Sequence, residues 1–88
     1  MSALTAYVDR KNSFAKIFGN KELSLQNATD RQKIADSIDA DLSPENLTCD
    51  GELSHTQVRA RYKALTTAAF ELKRLDPKVK FYEFGTEV

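Results

Sequence analysis

Side chains that could act as nucleophiles, general bases or soft metal ligands are few in this sequence. The 88 residues contain one Cys and one His, Cys49 and His55. A zinc site built on them would need two further ligands from carboxylates, and a catalytic Cys–His pair would need a third, orienting group. The three glycines are scattered and form no phosphate-binding loop. We therefore predict a protein that is not an enzyme and that uses no metal or cofactor.

Oxygen-bearing side chains alternate between residues 39 and 50, as they do in a calcium loop of the EF-hand type. Position 6 of such a loop would be Pro44, where a glycine is needed. Position 12 would be Asp50, whose side chain is shorter than the Glu that normally binds the ion. We interpret these side chains as polar groups at helix ends. They are Asp39, Asp41, Ser43, Glu45 and Asp50.

The strongest candidate for binding is a basic run from His55 to Leu65, with the sequence His-Thr-Gln-Val-Arg-Ala-Arg-Tyr-Lys-Ala-Leu. This run resembles the third helix of Myb/SANT-type DNA-binding domains, which places basic side chains on phosphates and reads bases in the major groove. The resemblance implies a nucleic-acid partner, with Arg59, Arg61 and Lys63 as phosphate contacts. The chain has no Trp and a formal net charge of zero, so we keep nucleic-acid binding as the second functional hypothesis.

Phe70 lies off the apolar face of the same segment. At 100° per residue it falls about 120° from the centre of that face, among basic side chains. One hypothesis is that the C-terminal tail covers the ring with Val79, Phe81 or Phe84. The other is that the exposed ring anchors an acidic partner or stacks on a nucleic-acid base. The predicted partner-binding residues are Arg59, Arg61, Lys63, Phe70, Lys73 and Arg74.

A long helix from Ser54 to Leu75 must position these side chains. Ser54 and Gln57 have the spacing of a capping box, and Asp76-Pro77 ends the helix because proline disfavours helical geometry at the preceding residue. Apolar residues recur along the helix at spacings typical of a helix that packs lengthwise on another helix. The repeat is Val58, Tyr62, Leu65, Ala69 and Leu72.

We predict a homo-oligomer that associates through this repeat, or through its flank of Ala60, Ala64 and Ala68. A chain of 88 residues is close to the size at which one core is just sufficient. A second copy could therefore cover the long apolar seam, and the small side chains of the flank would let two helices approach closely.

Opposite charges are separated along the chain. Residues 30–52 contain seven acids and two bases, whereas residues 53–80 contain seven bases and two acids. We expect the two blocks to lie side by side and partly neutralise each other, within one chain or between subunits. Surface ion pairs contribute only about 0–1 kcal/mol each, so they determine orientation more than stability.

Two shorter helices precede the long one. Ser2 could cap the first, which would end before Gly19, although it could also begin only near Asp9. Thr29 and Gln32 form a possible capping box for the second, which would reach about residue 40. The expected inward residues are Leu4, Tyr7, Val8, Phe14, Ala15, Ile17 and Phe18 in the first helix, and Ile34, Ala35, Ile38 and Leu42 in the second.

The remaining segments are predicted to be turns and an extended tail. Residues 43–46 resemble the start of a one-turn helix, with Ser at the cap and Pro at the first position. Residues 49–52 read as a turn, because Asp-Gly is a strong turn dipeptide. In residues 78–84, Val79, Phe81 and Glu83 alternate with Lys80, Tyr82 and Phe84, as side chains do on the two faces of a strand. The sequence offers no obvious strand partner, so we expect this segment to pack across the helices as an extended tail.

The whole chain, residues 1–88, is predicted to be a single all-α domain with three main helices. No apolar run approaches the roughly 20 residues needed to cross a membrane, and the N-terminus lacks a secretory signal. With a single Cys and no signal, we expect a reducing, cytoplasmic setting.

Residues 42–54 read Leu-Ser-Pro-Glu-Asn-Leu-Thr-Cys-Asp-Gly-Glu-Leu-Ser. This segment is similar to one found in small uncharacterised bacteriophage and prophage proteins. The resemblance implies a phage source and a role in the host cytoplasm. Taken together, these features predict a non-catalytic interaction or regulatory module that binds a host or phage macromolecule.

Overall fold

A computed structural model describes residues 2–47 and 54–82, which form three α-helices. Helix α1 spans Ala3–Ile17, α2 spans Ala28–Asp41 and α3 spans His55–Leu75. No β-strand occurs within the described ranges, and α3 packs against both α1 and α2. The predicted all-α class and the number of main helices are therefore confirmed.

Helices α1 and α3 each begin at a serine side chain that caps the first turn. Ser54 and Gln57 form the predicted capping box, with each side chain bonded to the backbone N–H of the other residue at 3.2 and 2.9 Å. The hydroxyl of Ser2 accepts the N–H of Thr5 at 3.1 Å, so α1 begins at the earlier of its two predicted starts. Gly19 follows α1 with φ of 71°, a left-handed conformation that glycine adopts without steric cost.

Helix α2 begins with a different cap from the predicted one. The Asn27 side chain accepts the N–H of Thr29 at 2.8 Å, so Asn27 is the cap and the predicted Thr29–Gln32 capping box is wrong. The amide of Gln32 instead bonds the backbone of Lys80 in both directions. It accepts the Lys80 N–H at 3.0 Å and donates to the Lys80 carbonyl at 2.9 Å. A residue that looked like a capping group therefore fastens the C-terminal tail to α2.

The core is formed by one face of each helix together with the tail. Ile34, Ile38 and Leu72 are its largest fully buried side chains, and Val79 of the tail is only 2% exposed. The predicted inward face of α2 is confirmed, and the tail packs on the helices through Val79 and Phe81, whereas Tyr82 is 69% exposed. The buried apolar residues are Leu4, Tyr7, Val8, Ile34, Ala35, Ile38, Leu42, Leu65, Ala68, Ala69, Leu72 and Val79.

The C-terminal half of α1 departs from the prediction. Phe14, Ile17 and Phe18 are 55%, 75% and 73% exposed, so their assignment to the core is wrong. The helical period correctly identifies which residues share a face. It does not say how far along α1 the neighbouring helices reach, and the buried part of the face ends at Val8.

A polar network joins α1 to the end of α2. The Tyr7 hydroxyl donates to Asp41 Oδ2 at 2.7 Å, and the hydroxyl of Ser37 lies 2.7 Å from the same phenolic oxygen. Burial of the phenol raises the pKa of Tyr7 well above its ordinary value, so the hydroxyl remains a donor. Lys11 Nζ lies 3.2 Å from the same carboxylate, which explains a lysine on an otherwise apolar face.

Arg31 ties three segments together at the opposite end of α2. Its Nη1 donates to Asp76 Oδ2 at 2.8 Å, and its Nε donates to the carbonyl of Leu25 at 2.8 Å. The Arg31 guanidinium, and next the N–H of Lys78, hold the pKa of Asp76 below its usual range. The end of α3 and the connector before α2 are therefore held by one side chain.

The segment after α2 is a single hydrogen-bonded turn. The carbonyl of Ser43 accepts the N–H groups of Asn46 and Leu47 at 3.0 and 3.1 Å, which places one turn at residues 43–47 with Ser43 at its start, as predicted. The turn predicted at residues 49–52 lies outside the described residues, as does Phe84.

Candidate macromolecule-binding face

The side of α3 that faces away from the core carries four exposed side chains, Arg59, Lys63, Phe70 and Arg74, which we call the outward face. Eleven residues correspond to about three helical turns. Arg59 is therefore nearly in line with Phe70, and Lys63 nearly in line with Arg74. The four side chains form one stripe on the surface, with the phenyl ring among three cations.

The ring of Phe70 is 54% exposed, and the guanidinium carbon of Arg74 lies 5.9 Å from the ring centroid. Val79 and Phe81 pack against the core, and Phe84, the third residue predicted to cover the ring, lies outside the described residues. A cation–π contact of this kind contributes about 0.5–1 kcal/mol at an exposed site. The contact orients the ring and leaves much of its surface available to a partner.

Among the described residues, the outward face carries three bases and no acid, so it is positive. The only acid within α3 is Glu71, whose carboxylate accepts the N–H of Leu4 at 3.2 Å on the side that faces α1. Within residues 2–47 and 54–82, Arg59, Lys63 and Arg74 have no ion-pair partner. An acidic group that approached this face would therefore meet cations that are not already neutralised.

Two residues predicted for the site are placed elsewhere. Lys73 Nζ donates to the carbonyl of Val79 at 2.7 Å and so helps to hold the tail. Arg61 is two residues from both Arg59 and Lys63, which is a rotation of about 200° around a helix. It lines cavities between α1 and α3 instead. The three basic residues of the Myb-like run therefore do not share one surface.

Most of the predicted oligomer seam is buried in the core of the monomer. Leu65, Ala69 and Leu72 are at most 3% exposed in the core. Of the apolar repeat, only Tyr62, which is 50% exposed, and the half-buried Val58 are left for a second copy to reach. The flank divides in the same way, with Ala68 buried and Ala60 and Ala64 exposed.

In the described part of the chain, no group of three or more His, Cys, Asp or Glu side chains is placed to hold a metal ion. His55 is exposed at the first residue of α3, and Cys49 lies outside the described residues. None of the described helices is both long and apolar enough to cross a membrane. Comparisons with protein-family models, curated proteins and solved structures found no match to this chain.

Proposed function

We propose that this protein is a non-catalytic interaction module whose outward face binds an acidic site on a partner protein. The observation that supports this proposal is the exposed ring of Phe70, set among three cations that have no ion-pair partner in the described ranges. Following the resemblance of residues 42–54, the partner would be a host or phage protein in the cytoplasm.

The two kinds of side chain on the outward face have complementary roles in binding. Aromatic and arginine side chains dominate the energetics of many interfaces, because they bury a large area and fill well-packed pockets. Charges around such an anchor mainly increase the association rate and exclude partners of the wrong sign. Phe70 would supply most of the affinity, whereas Arg59, Lys63 and Arg74 would select an acidic surface.

The second candidate is a nucleic-acid partner, which is favoured because the described side chains of the outward face include three cations and no carboxylate. With Arg61 on another side and Lys73 bonded to the tail, three cations remain for phosphate contacts. Three contacts imply an affinity that falls about 40-fold between about 50 and 200 mM salt. A small cation set and a formal net charge of zero make this candidate the weaker one.

Phe70→Ala tests the function while leaving the fold intact. We expect the immobilised variant to lose at least about tenfold in capture of its partner from native cytoplasm, because an anchor at an interface costs about 1.4 kcal/mol or more when truncated. Its free energy of unfolding should change by less than about 1 kcal/mol, because the ring is exposed. Capture is measured by quantitative mass spectrometry and unfolding by circular dichroism.

Phe18→Ala is the matched control, because Phe18 has the same side chain, is 73% exposed and directly follows α1 rather than lying on α3. It should capture the partner like the parent. A Phe70→Ala variant that both melts and binds like the parent would refute the proposal.

Labelled duplex and single-stranded DNA distinguish the second candidate from the first. If tens of micromolar protein shifts neither probe at low salt, nucleic-acid binding through Arg59, Lys63 and Arg74 is excluded. A shift that weakens about 40-fold over the stated salt range, and that disappears in Arg59→Glu/Lys63→Glu, would replace the protein-partner proposal.

A further inference from the structure

A second surface, separate from the outward face, lies where α1 meets the beginning of α3. Arg10 and Arg61 both line two cavities there, of about 320 and 300 Å³, together with Leu65. Asp41 is the carboxylate at this position, and it already accepts the Tyr7 hydroxyl and pairs with a lysine. Neither guanidinium has an ion-pair partner among the described residues, so this groove is positive.

An acidic surface lies directly beside the positive groove. It forms a shallow cavity of about 660 Å³ along the outer side of α2 and the following turn, lined by Asp36, Asp39 and Glu45. Asn46 lines both this cavity and the larger cavity of the positive groove, which shows that the two surfaces are neighbours. The side chain of Asp36 accepts a hydrogen bond from the neutral amide of Gln32, so its charge is not cancelled by that contact.

Among the described residues, one ion pair joins the two charge blocks, and it links their minority charges, Arg31 of the acidic block and Asp76 of the basic block. The three described ion pairs are Lys11–Asp41, Lys16–Glu22 and Arg31–Asp76. None of them joins an acid of residues 30–47 to a base of residues 54–80. The sequence predicted neutralisation of the two blocks within one chain or between subunits, and these three pairs are compatible with neutralisation between subunits.

We propose that the positive groove and its acidic neighbour together form a twofold-symmetric interface with a second copy of this chain. Adjacent patches of opposite charge become self-complementary when one copy is rotated by 180° about an axis between them. Arg10 and Arg61 of each copy would face Asp36 and Glu45 of the other, with the axis near Asn46.

An apolar group at the same place would be covered by this association. Phe14 lines the positive groove and is 55% exposed, in the half of α1 that the core does not cover. Aromatic side chains are enriched in the buried centres of interfaces, with charges at the rim. Phe14 would therefore contribute affinity, and the four charged positions would determine the orientation of the two copies.

Charge reversal on each half of the interface provides the test. In the variant Arg10→Glu/Arg61→Glu, the positive groove becomes acidic, so each copy presents two acidic patches. In the variant Asp36→Lys/Glu45→Lys, the acidic patch becomes basic, so each copy presents two basic patches. We expect the parent to sediment at twice the monomer mass and each variant alone to be a monomer, with a dissociation constant raised at least about tenfold. All four positions are exposed, so helical content should be retained.

Mixing the two variants distinguishes specific pairing from general destabilisation. The equimolar mixture should return to twice the monomer mass, because the Glu side chains introduced in one variant then face the Lys side chains introduced in the other. Arg10→Gln/Arg61→Gln, which removes charge without adding repulsion, should also be mainly monomeric. A mixture that stays monomeric would overturn the proposal, as would a parent whose mass is monomeric across dilution.

The control for net charge is Arg59→Glu/Lys63→Glu, which makes the same change in charge on the outward face. It should remain a dimer while losing partner capture. The proposed dimer and the proposed function therefore fail independently, since they are tested by different variants on different surfaces.

Discussion

Leu72→Ala should lower the free energy of unfolding by about 2–5 kcal/mol, the range for truncating a leucine in a packed core. Leu72 is completely buried on α3, the helix that packs against both other helices. Small domains have total stabilities near the lower end of about 5–15 kcal/mol. The variant should therefore unfold at a much lower urea concentration and could populate the unfolded state at 37 °C.

Leu75→Ala is the matched control, because Leu75 has the same side chain in the same helix and is 54% exposed. Its effect should stay within about 0.5 kcal/mol, as for most surface substitutions. Urea denaturation followed by circular dichroism measures both variants. Equal losses at the two positions would contradict the assignment of Leu72 to the core.

Arg31→Ala should cost about 2–3 kcal/mol, because it removes charge-assisted hydrogen bonds that join α2 to the end of α3 and to the preceding connector. The side chain of Asp76 is only 12% exposed and would lose its charged partner. Arg31→Lys should restore only part of the loss, because an ammonium cannot reach Asp76 and the Leu25 carbonyl with the same geometry. Lys33→Ala, at an exposed position in the same helix, should have little effect.

The same ion pair should produce a pH dependence on the acid side. Because Arg31 lowers the pKa of Asp76 below its ordinary value of 3.8, the pair stabilises the folded state fully above that pH. The contribution is lost as pH falls below 3.8 and through the lowered pKa of the folded state. The difference in unfolding free energy between the parent and Asp76→Asn should therefore shrink from pH 5 downwards. If this difference in unfolding free energy stays constant down to about pH 2, the charge of Asp76 does not stabilise the folded state.

Much of the candidate site could be derived from the sequence, because it depends on the period of one helix. At 100° per residue, Phe70 is necessarily off the apolar face and close to Arg59, Lys63 and Arg74. The same period places Arg61 on a different side, a consequence that the similarity to a known basic helix obscured. Whether the ring was covered could not be derived, because that depends on where the tail lies.

Two amide side chains show most clearly what the sequence does not reveal. Asn12 is a poor helix former within α1, and its amide bonds the backbone of Leu23 in both directions, at 2.7 and 2.8 Å. Gln32 does the same for Lys80 of the tail. These bonds join residues 11 and 48 positions apart, and no local pattern in the sequence predicts such pairings.

By itself, the sequence determined the all-α class, the capping box and both ends of α3, and the inward face of α2. These properties depend on interactions within about one helical turn, which composition and spacing specify directly. The tertiary structure alone decided how far the core extends along α1, which half of the apolar repeat is buried and which surface of α3 is left for a partner. Those outcomes depend on the relative lengths and placement of helices that are distant in the chain, where many arrangements satisfy the same local pattern.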